Sequence, residues 1–217
     1  MFACFASHIL FKRKIIMSPK FSFNTEFVMA CVIYSFLKYA KLFSMLIYSR
    51  MKKYRTALFI GRFQPLHKGH LYSLSKACEV GERVLVMIAK SNSFKTENDP
   101  WHWSIRKKML MEVVERLGLS KKIIKIFTCP DYPSDQYWLR QVEKRAGKFE
   151  VVVTNNEWVA EIMEKAGYPV YRSGLWRRET LEGVKIRKMI REGRSDWVER
   201  VPEPVAEILS RREKDVS

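Results

Sequence analysis

The chain has 217 residues, of which 47% are hydrophobic, a composition that suits one domain of ordinary size with a substantial core and an additional segment. Aromatic and charged residues make up 13% and 29% of the chain, which excludes global disorder. The formal net charge of +17 favours an anionic partner: a nucleic acid, an acidic membrane surface or a phosphorylated small molecule.

The first 50 residues differ from the rest of the chain. They carry seven Lys or Arg residues against a single acid, Glu26. Their longest apolar run, 27–37, is shorter than the roughly 18 residues of a membrane span, so no membrane span is expected. We predict that residues 1–50 are an N-terminal extension outside a catalytic domain at 51–217. The alternative is a membrane-associating or partner-binding helix.

The cysteines are scattered without CxxC spacing. This pattern disfavours a zinc site and a disulfide framework, so we expect no protein-bound metal. It indicates a reducing, cytoplasmic setting.

Strand and helix patterns alternate from residue 51 onward. The strand-length apolar runs are Thr56–Ile60, Arg83–Lys90, Ile123–Thr128, Phe149–Thr154 and Pro169–Tyr171. The helical patterns are Gly69–Val80, Trp103–Leu117, Asp135–Ala146, Glu157–Ala166, Gly183–Arg191 and Pro204–Arg212. Strands that are apolar on both faces are typical of a parallel sheet covered on both sides. The order therefore predicts an α/β fold with a Rossmann-like, doubly wound parallel sheet of about five strands and a single catalytic domain.

The stretch TALFIGRFQPLHKGH, residues 56–70, joins the first strand to the first helix through a glycine turn. Backbone N–H groups at a helix start are unpaired and lie at the positive end of the helix dipole, so they attract anions. His67 and His70 fall on the same side of the first helical turn, and Gly69 leaves room for a phosphate. The stretch predicts a site for nucleoside triphosphate chemistry. The alternative is a tight turn with two surface histidines.

Residues 61–70, GRFQPLHKGH, closely resemble the (H/T)xGH signature of the nucleotidyltransferase superfamily, in the form carried by archaeal-type nicotinamide mononucleotide (NMN) adenylyltransferases. The resemblance implies transfer of AMP from ATP to NMN, giving NAD and pyrophosphate, with Mg²⁺ bound through the ATP phosphates. It implies that His67 and His70 contact those phosphates, with His70 nearest the reacting α-phosphate. The other residues expected at the ATP are Phe59, Ile60, Gly61, Arg62, Gln64 and Gly69.

Three further segments extend the resemblance towards the NMN. Residues 98–106, NDPWHWSIR, resemble the family's NDPFTAGER and imply that Arg106 binds substrate; the alternative is an exposed arginine at a helix start. Residues 131–138 resemble the NMN pocket, which implies that Trp138 stacks on the nicotinamide ring and Asp131 binds the ribose or carboxamide. Core packing is the alternative for Trp138. Asn156 follows a strand where the family has a polar turn near the nucleotide, although turn chemistry also explains it.

Residues 181–187, LEGVKIR, correspond to a second family signature whose hydroxyls and Arg bind the triphosphate. The chain keeps the Arg as Arg187, expected at the β- and γ-phosphates, but has Glu182 and Val184 in place of the hydroxyls. A carboxylate repels phosphate and Val cannot donate. The residues expected to compensate with positive charge are Lys185, Lys188, Arg177 and Arg178.

This departure leaves two alternatives open: nucleotidyl transfer to another phosphorylated acceptor such as phosphopantetheine, and a catalytically idle nucleotide- or RNA-binding relative. No recognised nucleic-acid motif accompanies the basic pairs, so no specific nucleic acid is expected as a partner. Family analogy implies a homo-oligomer.

Overall fold

The computed structural model describes residues 33, 34, 39 and 54–214, and residues 52–217 form one compact unit. Apart from the three isolated helical positions, the predicted extension at 1–50 lies outside the described residues, so its boundary stays a prediction. Across the described part of the chain, no helix is long and apolar enough to cross a bilayer.

Five parallel strands form one sheet in the order β3-β2-β1-β4-β5. This order and the helices between the strands confirm the predicted Rossmann-like fold, and the predicted strand ends differ from the observed ones by at most two residues. The strands are β1 Tyr54–Gly61, β2 Gly81–Ile88, β3 Ile123–Thr128, β4 Val151–Val153 and β5 Val170–Tyr171.

Six α-helices follow the predicted pattern, with ends also within two residues of prediction. A short 3₁₀ helix, Asp196–Arg200, was not predicted because its five residues are too few for a periodic apolar pattern. The α-helices are α1 Lys68–Val80, α2 Trp103–Arg116, α3 Asp135–Ala146, α4 Glu157–Lys165, α5 Gly183–Arg191 and α6 Glu203–Lys214.

The sheet has a core on each face, because successive strand residues point to opposite sides. Along β1, Ala57 and Phe59 belong to the core packed by α1, α2, α5 and α6, whereas Leu58 and Ile60 belong to the core packed by α3 and α4. The strand order reverses at β1, which pairs with β2 on one side and β4 on the other. In such sheets, the crevice at the carboxyl ends of the strands beside this reversal is where ligands bind.

Candidate active site

The loop after β1 is held in shape by its own buried side chains. Phe63 is buried in a left-handed backbone conformation (φ 55°), and a Cβ on Gly61 would lie 2.6 Å from its ring. The Gln64 carboxamide donates to the Trp101 carbonyl (2.9 Å) and accepts from the Trp101 amide (3.1 Å). Gln64 lines the cleft described below, but its side chain already serves to join this loop to the start of α2.

His67 and His70 lie together at the start of α1, as the sequence predicts. Their ring centroids are 3.7 Å apart, and the His67 amide N–H donates to His70 Nδ1 at 3.3 Å. Burial and then the charge of Arg187 lower the pKa of His67 to about 4. Burial, followed by His67 and Arg62, lowers the pKa of His70 well below its usual value. Both rings are therefore neutral at pH 7, and each carries one N–H donor.

Gly69 is needed where the two rings meet the chain. A Cβ at this position would lie 3.0 Å from two atoms of the His67 ring. A larger residue at this position would require the His67 ring to shift by a few tenths of an ångström, so glycine suits this close approach. The predicted room for a phosphate beside Gly69 stays a prediction.

Arg187 joins three parts of the site. From α5 its Nη1 donates to the Gln64 carbonyl (2.7 Å), its Nε to the Glu97 carbonyl (3.2 Å) and its Nη2 to Asn98 Oδ1 (3.3 Å). The side chain is buried, and burial followed by the charge of Arg62 lowers its pKa. Because a guanidinium keeps its charge at neutral pH, Arg187 places a positive charge beside the histidine pair.

Arg106 is fully buried, so the exposed arginine considered as an alternative is wrong. It donates to the carbonyls of Arg62 (2.7 Å), Ala89 (2.9 Å) and Lys90 (3.0 Å). Burial lowers its pKa to about 10, so it stays charged at neutral pH. Arg106 thus connects the loop after β1 to the loop after β2 through these hydrogen bonds. Its contact with NMN stays a prediction.

Asp99 forms contacts beside the site that sequence reasoning missed, although it does not line the cleft described below. Its buried carboxylate lies 2.8 Å from Lys90 Nζ and 3.9 Å from Arg62 Nη1, and it accepts from Ser93 Oγ at 3.0 Å. Burial raises the pKa of this carboxyl, but the hydrogen bonds from Lys90 and Ser93 outweigh that effect and the net pKa is lowered. Asp99 thus pairs closely with Lys90 and lies near Arg62, which lines the cleft. In the sequence it stood out only as part of the Asn-Asp-Pro motif.

The residues predicted to bind NMN do not come together in one pocket. Asp131 follows β3, where its main chain exchanges hydrogen bonds with the Asn92 side chain, and burial raises the pKa of its carboxyl. Trp138 is fully buried, with its ring centroid 5.0 Å from that of Trp158, which matches its core alternative. Asn156 caps α4 by accepting from the Val159 amide.

A polar cluster and an aromatic pair were also missed from the sequence. Asn155 Nδ2 donates to Ser173 Oγ (2.9 Å), and that hydroxyl contacts Ser73 Oγ at 2.8 Å, which ties the loop after β5 to α1. In the same loop Trp176 stacks on Tyr72 of α1, with centroids 6.0 Å apart and an angle of 20° between the rings. These contacts join residues that are far apart in the sequence, so no local motif predicts them.

A cleft of ≈ 510 Å³ opens over the carboxyl ends of β1, β4 and β5. Four of the predicted site residues do not line it: Arg106, Asp131, Trp138 and Lys185. The Lys185 ammonium instead donates to the Glu179 carbonyl at 2.7 Å. The predicted site residues that line it are Phe59, Ile60, Gly61, Arg62, Gln64, His67, Gly69, His70, Asn156 and Arg187.

Comparison with known proteins identifies the family. Residues 58–192 match the cytidylyltransferase-like family model. The chain is 33% identical over 156 residues to the nicotinamide-nucleotide adenylyltransferase of Pyrococcus furiosus, covering 71% of this chain and 82% of that protein. The chain belongs to the cytidylyltransferase-like family. A second nicotinamide-nucleotide adenylyltransferase, from Pyrobaculum aerophilum, is 32% identical over 155 residues and is covered to 87%. The resemblance noted from the sequence is thereby confirmed.

A solved structure supports the fold. The bifunctional NMN adenylyltransferase/ADP ribose pyrophosphatase of Francisella tularensis, crystallised with AMP and a manganese ion, superimposes with a TM-score of 0.57 at 20% identity. The match covers 68% of this chain and 44% of that protein, so this chain spans less than half the length of the bifunctional protein.

The cleft offers few ligands for a metal ion. The described residues contain no cluster of three or more His, Cys, Asp or Glu that could hold one, and Glu182 is the one carboxylate lining the cleft. Arg62, Arg178 and Arg187 line it with the two histidines. This set of groups suits a divalent ion that is held by nucleotide phosphates and enters together with them.

Proposed function

We propose that the chain transfers AMP from ATP to NMN, giving NAD and pyrophosphate. The observation that carries the proposal is the pair of neutral histidines at the start of α1, facing a cleft at the carboxyl ends of the strands. The relatives of this chain from Pyrococcus furiosus and Pyrobaculum aerophilum are both named nicotinamide-nucleotide adenylyltransferase, which supports the proposal.

ATP is expected in the cleft over β1, β4 and β5. Three arginines and the start of α1 supply positive charge for the triphosphate. The adenine is expected to stack on the ring of Trp176, which is partly exposed and lines the cleft. NMN is expected on the other side of the reversal in strand order, where β2 and β3 end and where Lys90, Asp99 and Asp131 lie.

The reaction needs alignment and charge stabilisation more than covalent help. A phosphate oxygen of NMN attacks the α-phosphorus of ATP, the bond from that phosphorus to the oxygen bridging to the β-phosphate breaks, and pyrophosphate leaves with that oxygen. His70 would donate its N–H to an α-phosphate oxygen, while Arg187 would hold the leaving phosphates. A divalent ion, proposed to be Mg²⁺ and held through the ATP phosphates, would offset part of their charge.

The deciding experiment offers the purified chain ATP and Mg²⁺ with NMN or phosphopantetheine, and identifies the product by mass. Formation of NAD supports the proposal. Adenylylation of phosphopantetheine alone would support transfer to another acceptor. Absence of pyrophosphate release, together with oligonucleotide binding that falls steeply with salt, would favour the idle RNA-binding alternative.

A further inference from the structure

Glu182 places a negative charge where the proposed triphosphate would lie. It is the residue before α5, and its carboxylate contacts Arg178 Nε at 2.8 Å and lies 3.6 Å from Lys185 Nζ. Arg178 lines the same cleft, so the ion pair engages a cation that would otherwise be available to a bound phosphate.

The start of α5 packs directly against the loop between β1 and α1. A Cβ on Gly183 would lie 2.9 Å from the Gln64 carbonyl oxygen and 3.1 Å from Arg187 Nη1. A Cβ on Gly69 would lie 3.6 Å from Leu181 Cβ. The starts of α1 and α5 therefore lie side by side, and residues of both line the cleft.

Glu182 does not use its carboxylate to cap α5: its side chain accepts no hydrogen bond from the amides of the first turn. The carboxylate is directed to Arg178 and Lys185 instead. A fixed negative charge therefore lies beside the start of α5.

We propose that Glu182 is an internal competitor of the triphosphate and determines how tightly this subsite holds polyphosphate. An entering polyphosphate has to break the Arg178–Glu182 pair and then lie beside the uncovered carboxylate. The inference rests on the proposed function only in assigning the cleft to ATP. Repulsion grows with the charge of the ligand, so Glu182 penalises tripolyphosphate most, pyrophosphate less and AMP least.

The test measures binding of ATP and of inorganic tripolyphosphate to the full chain by titration calorimetry, without NMN. We expect Glu182→Gln to lower the Kd for both ligands by about tenfold at low salt, with a smaller gain for AMP. The gain should shrink as salt is added, because exposed charges are screened. Glu182→Ser, which supplies the hydroxyl of the related signature, should give a gain at least as large.

Glu192→Gln is the matched control, because it removes the same charge from the other end of α5. Glu192 pairs with Lys188 at 3.7 Å and does not line the cleft, so its replacement should leave the Kd unchanged. Arg178→Gln should weaken binding more in the Glu182→Gln background than in the wild type, since only there is Arg178 free to bind phosphate.

The inference is overturned if Glu182→Gln binds tripolyphosphate no tighter than the wild type, if neither protein binds it, or if Glu192→Gln gains equally. Its fate is separable from that of the proposed function. Tighter tripolyphosphate binding without NAD synthesis would support the inference and reject the activity, whereas NAD synthesis without tighter binding would do the reverse.

Discussion

The His67 amide N–H donates to Nδ1 of His70, and this hydrogen bond determines the tautomer of the second ring. A neutral imidazole that accepts at Nδ1 carries its proton on Nε2. Burial keeps the ring neutral, so His70 presents a single N–H donor that needs no change of protonation to serve the reaction. Such a preorganised donor is suited to charge that develops on phosphate oxygens.

Replacing His70 with Ala should therefore lower kcat by about 100-fold or more, because one donor to the transition state is lost. The fold should survive, with the urea midpoint checked alongside NAD formation. His102→Ala is the matched control: His102 caps α2, does not line the cleft and should be dispensable for turnover. An unchanged turnover number in His70→Ala would remove His70 from the mechanism.

The histidine pair also makes stability depend on pH. The folded pKa of His67, about 4, lies below its ordinary value of 6.5, and that of His70 is lowered as well. Between about pH 4 and pH 6.5 the imidazoles bind protons in the unfolded chain but not in the folded chain. The folded state is therefore destabilised as the pH falls from 6.5 towards 4, and the effect fades above pH 6.5. We expect His67 alone to lower the free energy of unfolding by about 2 kcal/mol between about pH 7 and 5, and His70 to add to this loss.

Urea unfolding at several pH values checks this expectation against a double variant, His67→Gln with His70→Gln. Carboxylates remain mostly ionised in the upper part of the window, so the variant should show a clearly shallower dependence there. Equal slopes in the two proteins would mean that the imidazoles titrate normally in the folded state.

Arg106 should contribute more to stability than to substrate affinity. Arg106→Met removes a buried guanidinium that donates to three main-chain carbonyls and should cost about 3–5 kcal/mol, measured by urea unfolding. Arg116→Met on the same helix removes an exposed guanidinium paired with Glu203 and should leave the urea midpoint nearly unchanged. A stable Arg106→Met protein with a raised KM for NMN would instead support the direct contact implied by the sequence.

The fold was predictable because its signals are local. Successive residues of β1 are apolar and point to opposite faces of the sheet, which identifies a strand buried on both sides. The turn at Gly61 leads into the histidines of α1, so strand, loop and helix could be placed from neighbouring residues. The same holds for the histidine pair, since residues three apart on a helix must be neighbours.

The partners of the buried polar residues could not be predicted in this way. Gln64 and Trp101 are separated by 37 positions, and Arg106 and Arg62 by 44. The motifs identified Gln64 and Arg106 as special, but only the packing of the loops shows that they hold backbone carbonyls and amides. For Trp138 the family resemblance favoured stacking on the nicotinamide, but a tryptophan at helical spacing also suits a core, and the spacing alone does not distinguish the two roles.

Deletion of residues 1–50 should leave NAD synthesis essentially unchanged. All predicted site residues belong to the later part of the chain, and the family match begins at residue 58. Specific activity and the urea midpoint of the shortened chain, compared with the full chain, check this. Loss of soluble, active protein would refute the predicted boundary.

Trp176 should determine the affinity for the adenine base. The side chain is 42% exposed, lines the cleft, stacks on Tyr72 and has the Arg177 guanidinium 5.1 Å from its ring centroid. Stacking of a base on an aromatic ring is worth about 1–3 kcal/mol, so Trp176→Ala should raise the KM for ATP by about 10-fold while changing the KM for NMN little. Trp176→Phe keeps a ring and should retain most of the affinity.

Trp103→Ala is the control for that substitution, because Trp103 is similarly exposed at 36% but lies at the start of α2 and does not line the cleft. Quenching of tryptophan fluorescence by ATP gives a second measurement that does not depend on turnover. It should persist in the Trp103 variant and be lost in Trp176→Phe, since the indole that meets the base is then absent. A rise confined to the KM for NMN would place the nicotinamide nucleotide, and not ATP, against Trp176 and would exchange the two substrates across β1.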